Sequence, residues 1–125
     1  MITGRVNAHR EALIPLHLRG ALEEQHAVEA AIDTGYNGFL TLPPDLIEQL
    51  GFPYLRSSRA ILGDGSTIEF DIHEAIVVWN DRIRRIPVDA ADVSPLIGMS
   101  LLYGHELNLE VIEDGHVFIR ELPVA

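Results

Sequence analysis

Apolar and polar residues alternate along most of the chain, and this period of two predicts short β-strands. In the opening twenty residues, MITGRVNAHREALIPLHLRG, the alternation is clearest at Ile14, Leu16 and Leu18. This segment is predicted to form two strands, the second at a sheet edge or at a bulge, because Pro15 lacks an amide hydrogen. The next apolar stretch, VEAAID, predicts a third strand that ends at Asp33.

Three later segments have alternating apolar residues on both sides of a turn signal. The segment SRAILGDGSTIEFDI turns at Asp64-Gly65, AIVVWNDRIRRIPV turns at Asn80-Asp81, and HELNLEVIEDGHVFIREL turns at Asp114-Gly115. Asn, Asp and Gly tolerate the left-handed backbone conformation that tight hairpin turns require. The sequence therefore predicts three β-hairpins.

Two segments predict short helices. In LPPDLIEQLGF, Pro44 is suited to the first helical position, Asp45 places a negative charge in the first turn, and Gly51 favours termination. SPLIGMSLLYG predicts a shorter helical turn closed by Gly104. With no internal repeat, low-complexity segment or linker, residues 1–125 are predicted to form a single all-β domain, a compact barrel or sandwich with one or two short helices.

Composition narrows the classes of function. The 125 residues are 47% hydrophobic, enough for one buried core, and the absence of cysteine excludes disulfides, thiolate zinc sites and a cysteine nucleophile. The net charge of −10 disfavours nucleic acid and anionic membranes as partners, because both would be repelled. The sequence has neither a secretory signal nor an apolar stretch of membrane-spanning length, so the predicted location is the cytoplasm.

Two His-Glu pairs and one glycine-rich segment are candidates for metal or phosphate binding. His73-Glu74 and His105-Glu106 lack a second histidine one helical turn later, and neighbouring side chains in a strand point to opposite faces. GDGSTI is not followed by the helix whose N-terminus would hold a phosphate. We therefore predict surface histidines, no metal site and no cofactor.

Asp33-Thr34-Gly35 is the remaining candidate for chemistry. The simplest interpretation is an Asx turn, which is common for Asp before Gly at the end of a strand. A functional interpretation rests on the surroundings, because an apolar strand leads into Asp33 and Gly35 lets another backbone or a substrate approach closely. The tripeptide alone leaves both interpretations open.

Three ordered segments give the chain a resemblance to single-domain retropepsin-like aspartic proteases, particularly the small bacterial members. AIDTGYNGFLTL is similar to their active-site loop, AILGDGSTI stands where they have the flap hairpin, and PLIGMSLL is similar to the Gly element that precedes a short helix. Gly98 follows Asp33 by 65 positions, about the separation found in the family. The match spans roughly residues 28–119.

The resemblance implies a retropepsin-like acid-protease half-barrel that acts as a homodimer on peptide or protein substrates. It implies an aspartic endopeptidase, a hydrolase, with Asp33, Thr34 and Gly35 as catalytic residues and Thr34 hydroxyls bonded across the dimer axis. The residues implied in substrate binding lie in the loop, the flap and the Gly element: Tyr36, Leu62, Gly63, Asp64, Gly65, Ser66, Ile97 and Gly98. Terminal strands form the dimer sheet in viral members, and VFIRELPVA is either such a strand or simply a terminus.

Hydrolysing a peptide without a metal or a covalent nucleophile needs an ionised carboxylate to activate water and a protonated one to polarise the substrate oxygen. The chain has one Asp-Thr-Gly, and Asp64 and Asp114 follow residues that are not apolar, so the second carboxylate must be Asp33 of a second chain. Viral and pepsin members usually have Ala or Ser where this chain has Tyr36. That departure motivates a second hypothesis, a dimer that binds peptide or a partner protein without cleaving it, and the third is an acidic β-domain in which Asp33 only forms a turn.

Overall fold

The computed structural model describes residues 1–123, and residues 124 and 125 of the predicted domain lie outside that part. Strands take up 54% of the described residues and helices 9%, which confirms an all-β fold. The strands are β1 (Ile2–Val6), β2 (Ala12–Arg19), β3 (Gln25–Ile32), β4 (Leu40–Leu42), β5 (Tyr54–Ile61), β6 (Thr67–Trp79), β7 (Arg82–Ala90), β8 (Leu96–Ile97), β9 (His105–Leu109) and β10 (His116–Glu121). The helices are α1 (Pro44–Leu50) and α2 (Met99–Leu102).

The strands form one sheet in the order β5-β6-β7-β4-β8-β3-β2-β1-β10-β9. A further antiparallel pairing joins β2 to β6, where His17 is opposite Val78 and Leu18 is opposite Val77. This pairing closes β6, β7, β4, β8, β3 and β2 into a barrel, because β2 and β6 are the two ends of that run of strands. The remaining strands extend the sheet on either side of the closed part.

The core fills the inside of this barrel. Along β2 the alternation seen in the sequence is realised, since Ile14, Leu16 and Leu18 are at most 1% exposed. Helix α1 adds Ile47 and Leu50, each 2% exposed. A helix of two turns is held by such burial rather than by its own hydrogen bonds.

The expectation that Pro15 marks an edge strand or a bulge is wrong, because β2 lies inside the sheet. Residues 13–19 pair with β3 without a register shift, and Pro15 is opposite Glu29. On its other side, β2 pairs with β1 at residues 12–13 and with β6 at residues 17–18. Pro15 lies between these two partners, where β2 has no neighbour on that side, and this gap makes room for a proline inside a central strand.

Both predicted helices are present. Helix α1 begins at Pro44, and Gly51 closes it with φ +69° while its amide bonds to the carbonyls of Glu48 and Ile47. Glycine adopts this left-handed conformation without steric cost, which explains where the helix ends. Helix α2 is a single turn, and Gly104 follows it with φ +85°. Neither helix in the described residues has the length and apolarity needed to cross a bilayer.

The three predicted hairpins are confirmed, with different connections. Asp64-Gly65 lies in the turn enclosed by the pair Ile61 and Thr67. Asn80-Asp81 joins β6 directly to β7, and both residues have positive φ, at 51° and 61°. The link between β9 and β10 spans residues 110–115 and is longer than a two-residue turn.

Candidate active site

Asp33 directly follows β3, where three short strands meet. β8 lies between β3 and β4, parallel to β3 and antiparallel to β4. Ile97 is therefore opposite both Ile32 and Leu40. The segment from Asp33 to Phe39 leaves β3, passes the end of β8 and enters β4, so the loop and the Gly element contact each other.

Four main-chain hydrogen bonds fix this loop against the Gly element. The Asp33 amide donates to the Ile97 carbonyl at 2.9 Å, and the Gly98 amide donates to the Phe39 carbonyl at 3.1 Å. The Met99 amide donates to the carbonyl of Tyr36 at 2.8 Å, and the Ser100 amide donates to that of Gly38 at 3.1 Å. The loop is thus held along its length by backbone groups of residues 97–100, which come 59 to 64 positions later in the chain.

Gly98 is buried beneath the loop, and the packing leaves no room for a side chain there. A Cβ at this position would collide with the Gly38 carbonyl oxygen and lie 2.6 Å from Cδ2 of Tyr36. Contacts under 3.0 Å force a rearrangement, and one of these neighbours is backbone. Glycine is therefore required at position 98 by close approach, not by its backbone angles.

The Asp33 carboxylate is half-buried and accepts a hydrogen bond from the Gly35 amide at 3.0 Å on Oδ1. This contact is the Asx turn of the simplest interpretation, and it also orients the carboxylate. Within residues 1–123, that amide is the one hydrogen-bond donor to the group. Thr34 and Gly35 beside it are exposed, so the carboxylate lies next to an accessible surface.

Tyr36 turns its side chain toward β4 and β7. Its hydroxyl donates its one hydrogen to Oδ2 of Asp89 at 2.5 Å, and the Leu40 carbonyl oxygen, 3.1 Å from the hydroxyl, is a second and weaker acceptor of the same hydrogen. Burial, and then the hydrogen bond to Asp89, raise the pKa of Tyr36 well above its ordinary value of 10.0. The hydroxyl therefore stays protonated and is committed to Asp89, a residue that the sequence reasoning did not single out.

The predicted flap residues form the tip of the β5–β6 hairpin. The Leu62 amide donates to the Ser66 carbonyl at 2.8 Å, and Gly65 has φ +86°. Oδ1 of Asp64 accepts hydrogen bonds from both the hydroxyl and the amide of Ser66, and these bonds hold the pKa of Asp64 below its ordinary value of 3.8. In the described residues, no hydrogen bond joins this tip to the Asp33 loop. The structure thus brings Asp33, Tyr36, Ile97 and Gly98 together and leaves residues 62–66 as a separate exposed turn.

Apolar side chains surround Thr34 on the outside of the molecule. A hollow of about 310 Å³ is lined by Thr34, Met99, Leu102, Tyr103 and Leu107, among others. Met99 is 45% exposed and Tyr103 is 88% exposed. The surface next to the motif is therefore an exposed apolar patch, although the chain as a whole carries a net charge of −10.

The two histidines considered as metal ligands are bonded within the chain. Nδ1 of His73 lies 2.9 Å from the Phe52 carbonyl. Nε2 of His105 accepts a hydrogen bond from the Trp79 indole at 3.1 Å, and its Nδ1 lies 3.1 Å from the Tyr103 carbonyl. Across residues 1–123, no three His, Asp or Glu side chains are grouped so that they could hold a metal ion.

Comparisons of the chain with protein-family models, with curated proteins and with solved structures found no match.

Proposed function

We propose that this chain is an aspartic endopeptidase that acts as a homodimer, with water activated between the Asp33 carboxylates of two copies. The observation that carries the proposal is the passage of β8 between β3 and β4, which packs Gly98 beneath the Asp33 loop. This arrangement supports the crossed pair of elements that the resemblance implies. A plain Asx turn would not need a buried glycine 65 positions away.

The chemistry follows from placing two such carboxylates close together. Two carboxyl groups at short range cannot both ionise, so one holds the shared proton and the other acts as the general base. The ionised group removes a proton from water, and the protonated group polarises the carbonyl oxygen of the substrate. The two groups titrate as a pair, so their pKa values belong to the dyad.

The surface beside Asp33 is suited to a second copy of the chain. Thr34 is exposed, and the apolar residues around it, including Met99 and Tyr103, would be buried by a partner across a two-fold axis. Residues 117–121 of the segment VFIRELPVA belong to β10, which pairs with β1 and β9 inside the chain, and Leu122 and Pro123 follow outside any strand. The free edge at this end of the sheet is β9, and a partner strand can add there.

In the proposed dimer, the hairpin tip at Leu62–Ser66 closes over an extended peptide and excludes water from the dyad. The peptide adds its backbone as a further strand. The location that fits this proposal is the cytoplasm, where the enzyme would work near neutral pH.

The proposal is tested by comparing wild type with Asp33→Asn on a mixed peptide library from about pH 3 to about pH 8. Wild type should cleave, and Asp33→Asn should lower the rate by about a thousandfold or more, because the general base is lost. Asp114→Asn removes the same charge at a hairpin tip and should leave the rate unchanged.

Two outcomes would count against the proposal. A wild type that is monomeric at every concentration has no second carboxylate, which rules out the shared dyad. A dimer that binds peptides and cleaves none of them supports the second hypothesis, a peptide-binding protein of the same fold.

A further inference from the structure

One face of the sheet carries both Asp33 and Asp89. Asp89 on β7 is opposite Thr41, Thr41 is opposite Leu96, and Leu96 is opposite Ala31. Residues paired in a ladder have their side chains on the same face of the sheet. Asp33 follows Ala31 by two positions and so returns to that face, which places the two carboxylates on one side of four adjacent strands.

The opposite face of these strands is the core. Leu40, Val88 and Ile97 alternate with the residues of the first face and are all 0% exposed. Ile72 on β6 is opposite Asp89, and Phe70 and Ile68 follow at alternate positions toward the hairpin tip. The face with Asp33 thus continues onto the underside of the proposed flap, where Asp89 lies between Thr41 and Ile72, and Arg56 of β5 is the next residue on this face beyond Ile72.

The charge of Asp89 has no cationic partner in the described residues 1–123. Its carboxylate is half-buried, and no Arg or His side chain of that part lies within ion-pairing distance of it. The Tyr36 hydroxyl is a neutral donor, and its raised pKa keeps it so. A half-buried carboxylate without a counter-charge is stabilised when a cation binds to it, because partial burial has weakened its hydration.

We propose that Asp89 gives the substrate cleft a subsite for a basic side chain, so that peptides with Lys or Arg near the cleaved bond are preferred. This inference rests on the proposed function and names its substrate class. Tyr36 acts as a positioning residue that fixes Oδ2 of Asp89 and leaves Oδ1 for the ligand. Three strand spacings separate β3 from β7, about 14 Å, which an extended peptide covers in about four residues. The basic residue is therefore placed within about four positions of the bond.

Cleavage of matched peptides tests the inference. A library cleaved by wild type identifies the preferred position, and two peptides are then made that differ only in lysine or norleucine there. Wild type should favour the lysine peptide by about tenfold to a hundredfold in kcat/KM, as expected for a charge-assisted hydrogen bond. Asp89→Asn should reduce that ratio to within about threefold of one. A general folding defect lowers both rates together and does not move the ratio.

The matched control is Asp81→Asn at the opposite end of β7, in an exposed turn. It removes the same charge from the molecule and should keep the lysine preference of wild type. A wild type without a basic preference overturns the inference, and so does a preference that persists in Asp89→Asn. A preference that is lost equally in Asp81→Asn also overturns it, because overall charge would then explain the selectivity.

Binding separates this inference from the proposed function. Asp33→Asn keeps the cleft but lacks the general base, so it is used to capture peptides from a library of random hexamers. Enrichment of Lys and Arg that disappears in the double variant Asp33→Asn, Asp89→Asn supports the subsite even if wild type cleaves nothing. Equal enrichment of Lys and Arg by the single and the double variant overturns the subsite, even if wild type is an active protease.

Discussion

The candidate site has no room for a side chain at Gly98. Gly98→Ala forces a Cβ against Tyr36, 2.6 Å from Cδ2 and 2.8 Å from the carbonyl oxygen, so the loop must shift. We expect a loss of about 1–3 kcal/mol in the free energy of unfolding, the usual cost of overpacking, measured by urea denaturation.

Gly63→Ala is the control for that measurement. A Cβ at Gly63 meets nothing within 4 Å, and the residue lies in the exposed hairpin turn. Its urea midpoint should match that of wild type. If the two variants lose the same free energy of unfolding, the close packing beneath the Asp33 loop is not the reason that Gly98→Ala is destabilised.

Tyr36 gives the molecule a predictable response to alkaline pH. Its pKa is raised in the folded chain, so the unfolded chain releases this proton first as the pH passes the ordinary value of 10.0. The stability that depends on the protonated hydroxyl is complete below that pH and declines above it. Tyr36→Phe should be less stable than wild type by about 1 kcal/mol near pH 8, and the deficit should narrow between about pH 9 and about pH 11, measured as urea midpoints.

Tyr54→Phe is the matched control for this pH series. Tyr54 is 57% exposed and begins β5, outside the proposed interface, so removing its hydroxyl should leave the pH dependence of wild type in place. A deficit of Tyr36→Phe that stays constant across the whole range would contradict the bond to Asp89.

At the residue scale, the sequence marked Asp33 and Gly98 but not Asp89. Asp33 ends an apolar strand within a short recognisable motif, so the signal is local. Asp89 and Tyr36 are 53 positions apart, and they meet because Thr41 pairs with both β7 and β8. That register depends on the whole sheet, and nothing near Asp89 in the sequence indicates it.

At the scale of elements, the tip of the β5–β6 hairpin contains two hydrogen bonds from Ser66 to the ionised Asp64. Its pKa is lowered by the hydroxyl and amide of Ser66, so the two bonds are present at neutral pH and are lost as the pH falls through the lowered value. The amide proton shift of Ser66 in NMR spectra should therefore titrate with a midpoint below 3.8. Asp64→Asn should abolish this titration, and a wild-type midpoint at or above 3.8 would argue against the bonds.

Elements whose signals are local were predicted well. Helix α1 ends at Gly51 because its turn needs a positive φ, and the hairpin tips follow from Asp64-Gly65 and Asn80-Asp81. The order of the strands was not predictable in the same way. Pro15 shows why, since its tolerance in a central strand depends on β1 and β6 ending on either side of it.

At the scale of the whole molecule, the proposed site is complete only with a second chain. Tyr103→Asp places two charges in the proposed interface, one from each copy, and should raise the dimer dissociation constant by about tenfold or more. Leu22→Asp is the control, since Leu22 is 87% exposed in the turn at the far end of β3 from Asp33. Sedimentation equilibrium measures both. If the two variants dissociate alike, the interface does not lie beside Thr34.

The passage of β8 between β3 and β4 also sets when the site appears during synthesis. The Asp33 amide finds its acceptor only after Ile97 has been added to the chain. At about 5–20 residues per second, that is about 3–13 s after Asp33 itself is incorporated. A growing chain therefore carries the Asp-Thr-Gly motif for seconds before the motif is held in place. Under the proposed function, this order of assembly keeps the unfinished chain inert while its own segments are still unfolded.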